Sequence, residues 1–326
     1  MRIFLLVFSL FFCAVTMAQE PAIKTEQDTT ATRTEEKSNP FNTGFYPVGF
    51  FDIDLRYIIK YNNYEGLRLG IGGVTNDRLS DRFKISGYFA RGFKDRDIKF
   101  GAGGSLRLSK PNKMWLNLFY KDDIQEIGKF NFLTDDRVYS VFEPRLVNVT
   151  QFYKERTWQS NVQAEFYEKI LAEARISRSR IDQIEDYQYL NDGITYSSYE
   201  IAEATASVRI SPKTDFITTE DGRIEYFDGF PKISAQITQG FEGITGSDFT
   251  YTKFGLKLDY YIKRTDLSST NFLLEGDYAI GDVPLTHLYH AYPNAPTKDE
   301  ILQRFSVAGR RSFETMYFGE FFSDKL

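Results

Sequence analysis

The chain has two histidines, His287 and His290, spaced as His-x-x-His between Pro284 and Pro293. A zinc-like ion needs three or four ligands. Tyr289 does not serve, and no carboxylate lies close in sequence before Asp299. The pair is therefore read as loop histidines near an interface. A Ser-His-acid hydrolase would need a serine and an acid to converge on the same loop, and no segment presents that set. No catalytic residue, metal or cofactor is assigned. The single cysteine, Cys13, follows Phe11 and Phe12 rather than the small residues a lipoprotein signal requires. It lies in a segment that processing would remove, which leaves no thiol or disulfide chemistry.

The other reactive side chains are charges recurring with period two. Arg68, Lys84, Lys99, Arg107, Glu165, Glu173, Arg175, Lys253, Lys257, Asp259, Glu275 and Asp277 each fall opposite an apolar neighbour, as residues lining a polar lumen would. Their mixed signs favour pairing across strands in a narrow interior over a pore selective for one sign. Gly70, Gly72, Gly101 and Gly103 share that face, where they allow close approach of a plug or loop, or strong curvature.

These positions require strands. In Ile98–Leu108, Ile98, Phe100, Ala102, Leu106 and Leu108 share one face, and Lys99, Gly101, Gly103, Ser105 and Arg107 the other. The pattern recurs at 64–74, 82–91, 113–121, 157–167, 170–178, 200–210, 232–239, 249–262 and 271–280, and 316–322 resembles the start of one more strand. Asn76-Asp77-Arg78 and Lys110-Pro111-Asn112 are turns. Residues 45–61 alternate weakly and either lead into the barrel or lie against its wall, and 122–149 read as a loop or plug-like excursion. About ten residues suffice for a tilted strand to cross a bilayer.

Residues 1–18 carry one charge, Arg2, an apolar stretch from Ile3 to Val15, and Thr16-Met17-Ala18, which together read as a secretory signal. Residues 19–43 are polar and short of large apolar groups, as in a disordered periplasmic linker. The expected fold for 44–326 is all-β: an antiparallel transmembrane β-barrel with about 11 to 12 strands visible. Eleven is odd, so either a strand is unread or the chain stops short of closure. A mean hydropathy of -0.39 suits alternation, and 30 Phe and 21 Tyr suit aromatic girdles. A soluble β-sandwich would alternate too, but uniform strand lengths and the small outward residues Ala202, Ala204 and Ala206 favour the barrel. A net charge of -5 disfavours a nucleic-acid binder.

Tyr61-Asn62-Asn63-Tyr64-Glu65-Gly66-Leu67-Arg68-Leu69-Gly70 resembles the first barrel strand of an uncharacterised outer-membrane β-barrel family, usually found behind a carboxypeptidase-regulatory-like domain. Ser86–Asp95, Asp248–Lys253, Phe313–Met316 and Glu320–Asp324 carry the resemblance further, and it extends over about Tyr57 to Leu326. Glu65–Gly70 is also similar to the opening strand of the assembly-factor (surface antigen) barrel superfamily, which inserts or translocates proteins. Two departures stand out. The regulatory-like domain is absent, and the family's barrel continues past its Phe-x-Ser-Asp segment, so the resemblance implies a C-terminally truncated chain.

The resulting expectation is a non-enzymatic outer-membrane barrel with a role in envelope structure or transport. Its partners would be outer-membrane lipid and, during biogenesis, the barrel-assembly machinery and periplasmic chaperones. The rival readings are an assembly-factor-like barrel working through a seam near its first strand, and a loop-borne hydrolase or metal site.

Overall fold

The computed structural model describes residues 44–325 except 137–138, 140–145, 147–148, 168, 185–187, 192, 220–221, 228, 264–267, 291, 296–312 and 318–321. The expected signal and linker lie outside the described residues. The strands are β1 (Phe45–Val48), β2 (Phe51–Asp54), β3 (Ile59–Asn62), β4 (Gly66–Thr75), β5 (Phe83–Gly92), β6 (Ile98–Ser109), β7 (Met114–Glu126), β8 (Phe152–Phe166), β9 (Ile170–Gln183), β10 (Tyr189–Asn191), β11 (Ile194–Tyr196), β12 (Ser198–Ile210), β13 (Asp215–Thr219), β14 (Gly222–Phe227), β15 (Lys232–Gly240), β16 (Tyr251–Lys263), β17 (Ser269–Gly281), β18 (Pro293–Ala295) and β19 (Phe313–Tyr317).

Among the described residues, thirteen strands form one sheet in the order β1-β2-β4-β5-β6-β7-β8-β9-β12-β15-β16-β17, with β3 also on β4. Every pairing in it is antiparallel. Neighbours in space are neighbours in sequence, apart from β2, which pairs with β4 beside β3, and the inserted hairpins β10–β11 and β13–β14. The fold is thus all-β, a large antiparallel meander whose edges, at β1 and β17, are not paired with each other among the described residues.

The period-two reading becomes two different faces. On the outer one, Leu67, Leu69, Ile71, Ile85, Phe89, Leu106, Leu118, Ile176, Leu256, Phe272 and Leu274 are exposed. On the inner one, Arg68, Lys99, Glu173, Lys253, Lys257 and Asp277 are buried. A strand cannot slip by one residue without exchanging these sets. The inner face also carries an aromatic core of Phe130, Phe132, Tyr153, Tyr199, Phe249, Tyr251 and Tyr289, with Ile127, Ile181 and Ile201.

Glycine on the inner face makes room for rings. A Cβ on Gly72 would stand 2.7 Å from the Tyr88 Cβ and 2.5 Å from the Tyr57 ring. Tyr57 instead stacks on Tyr88 at 4.2 Å between centroids. At Gly72 the structure realises close approach, by the short turn before β3, whereas at Gly70, Gly101 and Gly103 a Cβ would meet the neighbouring wall strands.

Two expectations change. The wall strand expected at 113–121 runs on as β7 to Glu126, so the excursion begins at Ile127. Its charges do not break the strand because distant residues satisfy them: Asp123 takes Arg68, and Lys121 takes Glu155. Of the wall strand expected over 316–322, residues 318–321 lie outside the described residues, and Met316 and Tyr317 close β19. β19 pairs in parallel with β18, apart from the main sheet. Five residues of alternation fix a face but no partner. Asp324 and Lys325 return to the wall, through the Ala279 N–H donating to the Asp324 carbonyl at 2.7 Å and a bridge between Tyr278 and Lys325.

Candidate functional site

The inner faces of β7, β8, β9, β12, β15 and β16 form the floor of a chamber of about 390 Å³. Register fixes one row across it: Asn161, Arg175, Thr205, Thr238 and Lys253 stand directly opposite one another on successive strands. The Thr205 and Thr238 hydroxyls are 3.0 Å apart. Glu155, Glu173 and Glu203 add carboxylates to the lining.

The excursion after β7 forms the roof. Ile127, Phe130 and Phe132 are apolar and bury themselves in the aromatic core. The polar residues that follow find fixed partners. The Leu133 N–H donates to Gln236 Oε1 at 2.7 Å, and the hydroxyls of Thr134 and Ser207 lie 3.1 Å apart. Asp135 pairs with Lys257. Asp136 takes Arg209 at 2.6 Å and Lys232 at 2.8 Å. Burial alone would raise the Asp136 carboxyl, but Lys232 and Arg209 hold it below its usual range. The plug-like reading of this segment is therefore met from 127 to 136.

A second inward loop closes the chamber wall. Lys253 donates to the His287 carbonyl at 2.7 Å and lies over the rings of Tyr289 and Phe130, at 4.5 and 5.1 Å, so its ammonium is held by a carbonyl and two π faces. The Tyr199 hydroxyl meets Thr286 Oγ1 at 2.5 Å, and Thr286 meets His287 Nδ1 at 2.8 Å. Burial pushes the His287 imidazole from 6.5 down to about 4, with Glu203 and Glu155 opposing and Lys253 reinforcing. His290 Nε2 lies 3.2 Å from Glu126 Oε1, both side chains nearly inaccessible, and its Nδ1 accepts the Tyr292 N–H. The expectation of loop histidines near an interface is corrected. Both are interior, because the loop turns inward and its Leu285, Leu288 and Tyr289 join the aromatic core. Among the described residues, no three His, Cys, Asp or Glu side chains gather as a metal site would need.

The twelve lumen-lining candidates share the inner face but not one site. Glu173, Arg175 and Lys253 line the chamber, and Lys257 is sealed beneath Asp135. Asp259 stands in register with Lys232, and Glu275 with Lys257, opposite charges on adjacent strands. Lys84 and Arg107 flank the Trp115 ring at 5.4 and 4.7 Å and reach Asp77 and Asp81 in the turn. Glu165 pairs with Lys113 at 2.7 Å, and Asp277 is buried opposite Gly255.

Arg68 and Lys99 belong to a separate buried latch. Asn62 Oδ1 accepts the N–H groups of Tyr64 and Glu65, and Gly66, at φ 68°, releases the chain into β4. This tight turn drives Glu65 inward, where it receives Asn62 Nδ2 at 2.5 Å and lies 3.2 Å from Lys99 Nζ. Lys99 also pairs with Asp95. Arg68 grips Asp123 through two nitrogens at 2.7 and 3.0 Å, and the Tyr88 hydroxyl donates to the same carboxylate at 2.7 Å. The Lys94 N–H donates to the Glu65 carbonyl and the Phe93 N–H to Leu67. The segments 61–70 and 86–95 are thus one assembled corner. Sequence reasoning missed Asp123, Asp135, Asp136, Glu155 and Glu203; for Asp123 alone the continued alternation past Lys121 was an available signal.

Residues 50–278 match the family described as "Family of unknown function (DUF5686) C-terminal domain". No curated protein matches the chain.

Proposed function

We propose, from the premise that the chain belongs to the DUF5686 family of unknown function, that it is an outer-membrane β-barrel protein whose polar interior serves envelope structure or transport. The observation that carries this reading is the outer face. Each of the ten long strands turns apolar side chains outward. Leu274, Leu256 and Ile71 are 69%, 60% and 59% exposed, an extent of apolar surface beyond what a monomer in water usually presents. Lipid contact would bury it at about 25 cal/mol per Å².

Two details support a membrane boundary. Phe100, Tyr120 and Trp158 contact one another across β6, β7 and β8, at 5.9 and 4.7 Å, as an aromatic girdle would. At and just beyond the level of Trp158 the same face becomes ionic: Arg178, opposite Trp158, pairs with Glu200 at 2.5 Å, and Arg156 pairs with Asp182 at 2.7 Å. Below the girdle, outward charge gives way to Ala, Val, Ile, Leu and Phe. In this reading outer-membrane lipid is the standing partner, and the assembly machinery and periplasmic chaperones are partners of biogenesis. The 127–136 segment packs across part of the interior, so the lumen in this reading is narrowed rather than an open pore.

Photocrosslinkers at Leu67, Leu256 and Leu274 in cells test the proposal. Lipid adducts at all three are expected. Capture of unfolded client proteins from Leu67 would replace it with the assembly-factor reading, and adducts to water-soluble proteins alone would refute both.

A further inference from the structure

Most charges in the chamber are already engaged. Glu155 is held by Lys121 and Thr157. Glu203 accepts the Tyr251 hydroxyl at 2.7 Å, and Lys253 is given to the His287 carbonyl. Two neighbours on β9 differ. Arg175 Nε is buried with no hydrogen-bond partner among the described residues. Glu173, 8% exposed, receives Asn161 Nδ2 at 2.8 Å, while an ionised carboxylate has room for about four donors. Arg175 is half-buried and attracts Glu173 only electrostatically, with no hydrogen bond between them. A buried guanidinium nitrogen and a buried carboxylate that stay short of hydrogen bonds are costly, and a ligand bearing the complementary charges would offset that cost.

We infer that the chamber binds a small zwitterion, a dipeptide-sized molecule whose carboxylate meets Arg175 and whose ammonium meets Glu173. Residues two apart on one strand face lie about 6.6 Å apart, and two extended residues of peptide span at most about 7 Å. The chamber volume of about 390 Å³ lies at the lower end for small-molecule sites. Gln159, Ser177 and Thr205 line the same floor and offer donors and acceptors to a peptide bond. Gln159 and Ser177 stand in register, one step along the strands from Arg175. The site lies on the inner face and does not depend on the solvent that meets the outer one. Binding by a water-soluble chain would overturn the membrane reading alone, and a membrane-inserted chain that fails to bind would overturn this inference alone.

Calorimetric titration of the full chain with Ala-Ala, N-acetyl-Ala-Ala and Ala-Ala amide tests it. Ala-Ala should bind saturably, and each blocked peptide at least about tenfold more weakly, because each leaves one buried charge unmet. Glu173→Gln should erase the preference for a free amine while keeping that for a free carboxylate. Arg175→Gln should do the reverse. Equal binding of the three peptides, or no saturable binding of Ala-Ala to chain with a cooperative unfolding transition, would overturn the inference. The comparison of peptides on the unsubstituted chain decides even if a variant fails to fold.

Discussion

Lys99→Met isolates the buried latch. Lys99 is 2% exposed at its side chain and stands between Glu65, at 0%, and Asp95, at 6%. Methionine keeps the volume and removes the cation, which leaves Asp95 without its partner and Glu65 with Asn62 and with Arg68 at 3.4 Å. Breaking a buried pair by removing one partner costs about 3–5 kcal/mol, because the remaining charge stays desolvated. Arg68 already spends its best geometry on Asp123 and does not move to compensate. Glu65 retains that weak contact, so the lower part of the range, about 3 kcal/mol, is expected. Urea titration of refolded protein, followed by intrinsic fluorescence, measures it. The triple change Lys99→Met, Glu65→Gln, Asp95→Asn should recover most of the loss, since apolar or neutral replacement of a whole buried ionic group is often neutral. A single variant within about 0.5 kcal/mol of the parent, the range of an ordinary surface change, would refute the reasoning. A triple variant no better than the single would refute the part assigned to stranded charge.

Gly72→Val forces a side chain into the Tyr57–Tyr88 stack and should destabilise by about 1–3 kcal/mol, read as a lower urea midpoint; an unchanged midpoint would show that the stack yields freely. His287 takes up its proton only near pH 4 when folded but near 6.5 when unfolded. Between those values the unfolded state binds more protons, so this contribution to stability is complete above pH 6.5 and is lost as pH falls toward 4, by at most about 1.4 kcal/mol per unit. His287→Gln should flatten that segment of the stability–pH curve, and an unaltered slope would contradict its burial as a neutral ring. Asp135→Asn with Asp136→Asn removes the ionic ties of the excursion to Lys257, Lys232 and Arg209 and should speed limited proteolysis near Lys129 at least about tenfold, the scale of one or two charge-assisted hydrogen bonds; unchanged cleavage would mean that the aromatic core alone holds the roof.

The wall was legible wherever an apolar face constrained every second residue. The stretch read as 98–108 is β6 at 98–109, and the ten repeats that alternate cleanly are the ten long strands. Legibility failed where polar residues are satisfied by partners far along the chain. Asp122–Glu126 reads as loop until Arg68, 55 residues away, is seen to hold Asp123. The roof depends on Lys257, 122 residues from Asp135, a distance across which no local pattern carries information. The histidines read as peripheral because their loop is short and proline-flanked, and its inward turn follows from Leu285, Leu288 and Tyr289 packing against strands read separately. The mixed charge of the interior suggested pairing across strands, but Lys84, Arg107 and Lys99 find their carboxylates in turns and Arg68 finds Asp123 on a strand that is not its neighbour.

The central claim is that the apolar face meets lipid and the charged face does not, and the two tryptophans report on opposite sides of the sheet. Trp158 is 58% exposed on the outer face, while Trp115 lies under Arg107 and Lys84 on the inner one. Single-tryptophan variants, Trp115→Phe and Trp158→Phe, refolded into vesicles of lipid brominated on the acyl chain, separate the two. The account predicts strong quenching of Trp158 and little of Trp115. Equal quenching of both, or none of Trp158, would contradict it.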